Sequence, residues 1–62
     1  MTVREVLRRL ADEGWVQTSQ KGSHRQFEHA TKPGKVTVAG KPSERVAPKT
    51  LKSIRKQAGW ED

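Results

Sequence analysis

The residues best suited to chemistry stand together at Lys21-Gly22-Ser23-His24-Arg25, a histidine at the foot of a tight basic turn. An unperturbed imidazole titrates near 6.5, so it can both take and give a proton at neutral pH. Gly22 accepts the positive φ that such a turn needs, and its missing side chain leaves backbone amides open to a phosphate. Lys21 and Arg25 bracket that opening with positive charge. Together these groups suit transfer chemistry on a phosphodiester, which needs little equipment when the substrate carries its own nucleophile, as RNA does in the 2′-hydroxyl. A protein then has only to remove that proton, protonate the leaving oxygen and stabilise the crowded phosphate. His24 fits the first task; Lys21, Arg25 and the Gly22 amide fit the third. The plainer alternative is a solvent-facing strand histidine beside a cationic turn with no chemistry at all.

Other chemistries lack their parts. There are two histidines and no cysteine, and the carboxylates lie scattered at positions 5, 12, 13, 28, 44, 61 and 62, so no metal site has recognisable ligand spacing. Glu28 shares a strand face with His24 but stands roughly 13 Å along it, too far for a two-residue dyad. No nucleophilic triad or glycosidase carboxylate pair is present, and no cofactor is implied.

The elements that must hold the turn can be read from the flanking sequence. Trp15 to Gln20 has the β-branched and aromatic content of a strand, and His24 to His29 alternates into a second. With Phe27 inward, Arg25 and His29 fall on its side, while His24, Gln26 and Glu28 take the wetter face. Pro33-Gly34 suits the centre of a type II turn. Lys35 to Val38 is then a third, antiparallel strand with Val36 and Val38 inward and Lys35 and Thr37 on the side of His24. Upstream, Thr2 and Glu5 form a capping box, and Val3, Val6, Leu7, Leu10 and Ala11 gather on one helical face. Gly14 ends that helix and turns Trp15 back onto Leu10. Residues 39–46 have no period and read as a loop whose cations, Lys41 and Arg45, are placed to meet a ligand. Pro48 opens a second helix with a stripe of Leu51, Ile54 and Ala58, and Gly59-Trp60 repeats the ending of the first. The order predicts an α+β fold, α-β-β-β-α, with a three-stranded antiparallel sheet, both helices on one face and the other face open.

Composition bounds the partners. Sixty-two residues make a single domain, 1–62, and only 31% are apolar, so the core is modest and stability marginal. The mean hydropathy is −0.96 and the isoelectric point about 10.4. Residues 1–14 sum to zero charge, whereas Lys21 to Lys56 hold ten cations against Glu28 and Glu44, an excess of +8. That distribution suits a polyanion; a solvated basic face is the alternative, and an anionic membrane surface a weaker one. No apolar run approaches the ~20 residues of a membrane span. The absence of cysteine and of a secretory segment leads to the expectation of a soluble protein in a reducing cytoplasm, with no membrane association.

Beyond these separate features, four segments closely resemble a known family. They are Gly14-Trp15-Val16, Gln20 to Phe27 with its G-S-H-x-Q-F signature, Thr31 to Val38, and Thr50 to Gly59 with T-L-x-S-I-x-K-Q-A-G. In order and over nearly the whole chain, they resemble the HicA toxins of bacterial HicAB toxin-antitoxin modules. The resemblance implies a double-stranded RNA-binding-domain-like fold, metal-independent mRNA cleavage that arrests translation, and neutralisation by a HicB antitoxin. It sets the catalytic histidine at His24 and leaves His29 structural or peripheral; from the basic turn and the charge pattern, Lys21, Gly22, Ser23, Arg25, Lys35 and Lys41 are expected to contact RNA. The chain departs from many relatives in having Ala39-Gly40-Lys41 where they have Pro and His after the third strand, and Lys49 where they have Gly. Two other readings stand beside this one: a non-catalytic RNA-binding module, which would read duplex RNA by shape, and a DNA-binding regulator. The latter is disfavoured because the one strongly basic helix is short and also supplies core residues.

Overall fold

Thr2 and Glu5 close the capping box that their spacing predicts at the start of α1 (Val3–Asp12). The Glu5 amide donates to Thr2 Oγ1 at 3.2 Å and the Thr2 amide to Glu5 Oε1 at 2.8 Å. Two further amides left open by a helix start are taken by the loop that shows no period in the sequence. Val3 N donates to Glu44 O at 2.8 Å and Arg4 N to Pro42 O at 3.0 Å. Val46 N in turn donates to Met1 O at 2.9 Å, and Thr2 bridges to Arg45. The loop is therefore held through its main chain, and the start of α1 has no amide left over for an anion. The computed structural model describes residues 1–60; the carboxylates of Glu61 and Asp62 lie outside the described residues.

At the other end of α1, Gly14 N donates to Ala11 O at 3.1 Å and Trp15 N to Leu10 O at 2.9 Å, the bond pair of a Schellman turn. Gly14 has φ +90°, and a Cβ there would stand 3.0 Å from His29 Nε2, so both conformation and space require glycine. His29 Nδ1 accepts from the amides of Thr31 (3.1 Å) and Lys32 (3.2 Å), which puts the ring proton on Nε2, donating to Glu13 O at 2.9 Å. His29 is thus a tie between the end of α1 and the turn after the second strand. These uses of Trp15 and His29 shift the strand limits by one residue from those expected, to β1 (Val16–Lys21) and β2 (His24–Glu28).

With β3 (Lys35–Val38) these form one antiparallel sheet in the order β1-β2-β3. The register pairs Phe27 with Val36 and Arg25 with Val38, so these four share a face. α1 and α2 (Pro48–Ala58) cover that face. One core joins Val3, Val6 and Leu10 of α1, Phe27, Val36 and Val38 of the sheet, Ile54 and Ala58 of α2, and both tryptophans. Ala11, expected in the buried stripe, is exposed: the stripe is narrower, with Val3, Val6 and Leu10 buried and Leu7 half-buried. Trp15 is 3% exposed with no partner for its Nε1 among the described residues. That orphan donor costs about 1–3 kcal/mol, less than the ~4–6 kcal/mol gained by burying a ring of this size.

The last turn of α2 locks onto α1. Trp60 N donates to Arg55 O at 2.8 Å, and its indole Nε1 donates to Glu13 Oε1 at 2.6 Å. Arg9 lies over the Trp60 ring at 4.2 Å and pairs with Glu13 Oε2 at 3.1 Å. Burial pushes the Glu13 carboxyl up, but the hydrogen bonds from Arg9 and Trp60 outweigh it and hold the group below its ordinary value. A carboxyl depressed on folding contributes stability that is fully present above its unfolded value, about 4.5, and lost as pH falls through the folded one. The urea midpoint is therefore expected to fall below about pH 4.5, and Glu13→Gln to fall less steeply than wild type over that range. Parallel acid limbs in the two proteins would remove Glu13 from the account.

Candidate catalytic site at the first hairpin

β1 and β2 are joined by a two-residue loop, Gly22-Ser23, closed by the cross-strand pair Lys21 and His24. Gly22 stands at φ +61° while Ser23 is not in the positive region. A glycine at positive φ in the first loop position is the pattern of a type II′ turn, whose twist matches that of the flanking strands. A Cβ at Gly22 would meet nothing within 4 Å. The glycine is therefore needed for its conformation, and the space in front of it is open.

Because Arg25 and Phe27 face the helices, His24 and its partner Lys21 face away from them, on the uncovered side of the sheet. His24 is exposed, and its ring has no hydrogen-bonding partner among the described residues, which leaves both nitrogens for a substrate. The pairing with β3 ends at Arg25 and Val38, one residue short of His24. Gln26, paired with Thr37, and Glu28, paired with Lys35, continue the same face away from the turn. Further along that face β1 bulges between Gln17 and Ser19, and Thr18 Oγ1 donates to Gln26 O at 3.4 Å.

The structure brings some of the expected site residues together and separates others. Lys21, Gly22, Ser23 and His24 form one constellation. Lys35 lies on the same face but beside Glu28, at the opposite end of β2. Arg25 is turned to the helix side and half-buried; its Nη1 donates to Gly40 O at 2.9 Å and to Ser23 O at 3.3 Å. It is a strut between the hairpin turn and the loop after β3, where Lys41, next in sequence to Gly40, is exposed. The alternation that puts Arg25 on the Phe27 side is the signal for this role, since a half-buried guanidinium must find acceptors; the acceptor itself, a main-chain carbonyl, leaves no mark in the sequence. Arg25→Met keeps the aliphatic stem and deletes both bonds. It is expected to cost about 1.5–3 kcal/mol in urea unfolding while leaving the salt dependence of RNA binding unchanged. A flattened salt slope with unchanged stability would instead make Arg25 a phosphate ligand.

Among the described residues no group of three or more His, Asp or Glu is clustered as metal ligands would be, and no helix is long and apolar enough to cross a membrane. The constellation offers one proton-transfer group, one neighbouring cation and an open turn. Compared with known proteins, the chain matches the family model described as the HicA toxin of bacterial toxin-antitoxin over residues 3–60. A search of curated proteins finds no match.

Proposed function

Since the chain belongs to the HicA family, toxins of bacterial toxin-antitoxin systems, we propose that it is a metal-independent endoribonuclease that cleaves mRNA in the bacterial cytoplasm, with His24 as its acid-base group. The observation that carries this reading is the placement of His24: exposed, without a partner for its ring, on the open sheet face beside Lys21 and an unobstructed turn. The imidazole takes the proton of an RNA 2′-hydroxyl, and Lys21, with the turn amides of Gly22 and Ser23, meets the charge that builds on the phosphate. Lys41 extends that positive border. A HicB-type antitoxin silences the protein by covering the open face, which couples a small basic domain to a partner of opposite charge. The test is purified protein on a defined mRNA, with and without chelator and with and without its antitoxin. Cleavage that survives chelator and stops with the antitoxin is expected; an RNA left whole under all four conditions would sink the proposal.

One observation favours the second reading, a non-catalytic RNA-binding module. α2 carries more cations than the turn around His24: Lys49, Lys52, Arg55 and Lys56 stand on that helix, which has no carboxylate. RNA bound tightly and never cut would select that reading.

A further inference from the structure

On the outer side of α2, Pro48, Lys52, Arg55, Lys56 and Trp60 line an open groove of ≈ 500 Å³. The two lysines are exposed and Arg55 half-buried, and none of the three cations meets a carboxylate among the described residues. The wall is rigid. Trp60 is 7% exposed, its indole N–H held by Glu13 and its ring covered by Arg9.

We propose that this groove binds RNA phosphates away from the bond that is cut and is the main electrostatic anchor for the substrate. The inference rests on the reading of RNA as the substrate. Three cations on one groove that meet no carboxylate among the described residues suit a phosphodiester backbone. A protein partner is the poorer fit. Docking sites between proteins are built around exposed apolar or aromatic anchors with few charges at their centre. The large exposed hydrophobic residues here are Met1 and Val16, neither of them in the groove, and the Trp60 ring is already covered. The groove cannot take part in the chemistry at His24, because α2 packs against the covered face of the sheet while His24 stands on the open one. Contacts so placed hold substrate and transition state equally, so they act on KM and leave kcat alone. Gln57, one residue beyond Lys56, accepts the Thr37 amide at 3.2 Å. α2 thus reaches the β3 edge, round which an anchored strand can pass to the open face.

The test compares wild type, His24→Ala, Lys49→Ala and the double variant Lys52→Ala/Lys56→Ala, all at exposed positions where alanine suits a helix or leaves the core untouched. Binding is measured to a 2′-methoxy RNA of a dozen or so nucleotides across a salt series, and cleavage to its natural counterpart and to a trinucleotide. The double variant is expected to bind the longer RNA about 10-fold more weakly, with a salt slope flatter by about one to two. It should raise KM with kcat unchanged and cut the trinucleotide as wild type does; Lys49→Ala, outside the groove, should change binding less. Unchanged affinity and slope in the double variant would overturn the anchor, as would a loss confined to antitoxin binding. The two readings fail separately: groove-dependent RNA binding with no cleavage by wild type keeps the anchor and removes the nuclease.

Discussion

His24→Ala is expected to lower the rate of RNA cleavage by about 10² to 10⁴, the usual contribution of a general acid-base group, and to abolish growth arrest while leaving the unfolding midpoint where it was. The separation follows from the position of the side chain, which is exposed, accepts and donates no hydrogen bond among the described residues, and has Lys21 as its partner across the hairpin. Nothing in the core moves when it is cut back. His29 provides the internal comparison. Its ring bonds Glu13 O and the amides of Thr31 and Lys32, so His29→Ala should unfold more easily. An active His24→Ala protein would take the histidine out of the mechanism. A poorly folded one would make its role structural.

The largest effect should come from the substrate itself. An RNA with a single 2′-deoxy or 2′-methoxy sugar on the 5′ side of the cut is expected to resist cleavage there completely, and DNA throughout. The side chains neighbouring His24 on the open face are Lys21 and Gln26, with Glu28 beyond, a donor set that does not make a metal-bound hydroxide at neutral pH. In the proposed reaction the nucleophile is the 2′-hydroxyl: its oxygen bonds to phosphorus, its proton passes to His24, and the 5′-oxygen leaves with a proton from water or a nearby lysine. The fragments end in a 2′,3′-cyclic phosphate, or the 3′-phosphate from its opening, and in a 5′-hydroxyl. With one histidine for two proton transfers, turnover is expected to be slow. Mass analysis of the ends decides: a 5′-phosphate beside a free 3′-hydroxyl would mean that water attacks, and would falsify this mechanism.

Where side chains carry the structural information, the sequence can be read directly. The Thr2–Glu5 box, the two Gly-Trp helix endings, the hairpin at Gly22 and the inward set of Phe27, Val36 and Val38 all follow from residue type and spacing, and so does the outward placement of His24. What stayed hidden is main-chain work. Pro42 and Glu44 offer carbonyls to α1 and Gly40 offers one to Arg25; any residue has a carbonyl, so the 39–46 stretch shows no pattern. The joint role of Arg9, Glu13 and Trp60 needs two helices to meet and cannot be seen in either alone. For the same reason the basic excess from Lys21 to Lys56 reads as one footprint in the sequence, whereas in the fold four of its ten cations stand on α2 and Lys21 stands beside His24 at the turn.

The sewing of α1 to the 42–46 loop also sets the order in which this protein can come into being. A capping box is local and forms as soon as Glu5 is made, but the Val3 and Arg4 amides wait for acceptors some forty residues downstream, and the core lacks Ile54, Ala58 and Trp60, some fifty residues beyond Glu5, until α2 is made. Such distant closures are slow relative to local ones. On a ribosome that emits the chain from its N-terminus, the hairpin bearing His24 therefore emerges well before the frame that fixes it, and the fold is assembled only once α2 and Trp60 have followed.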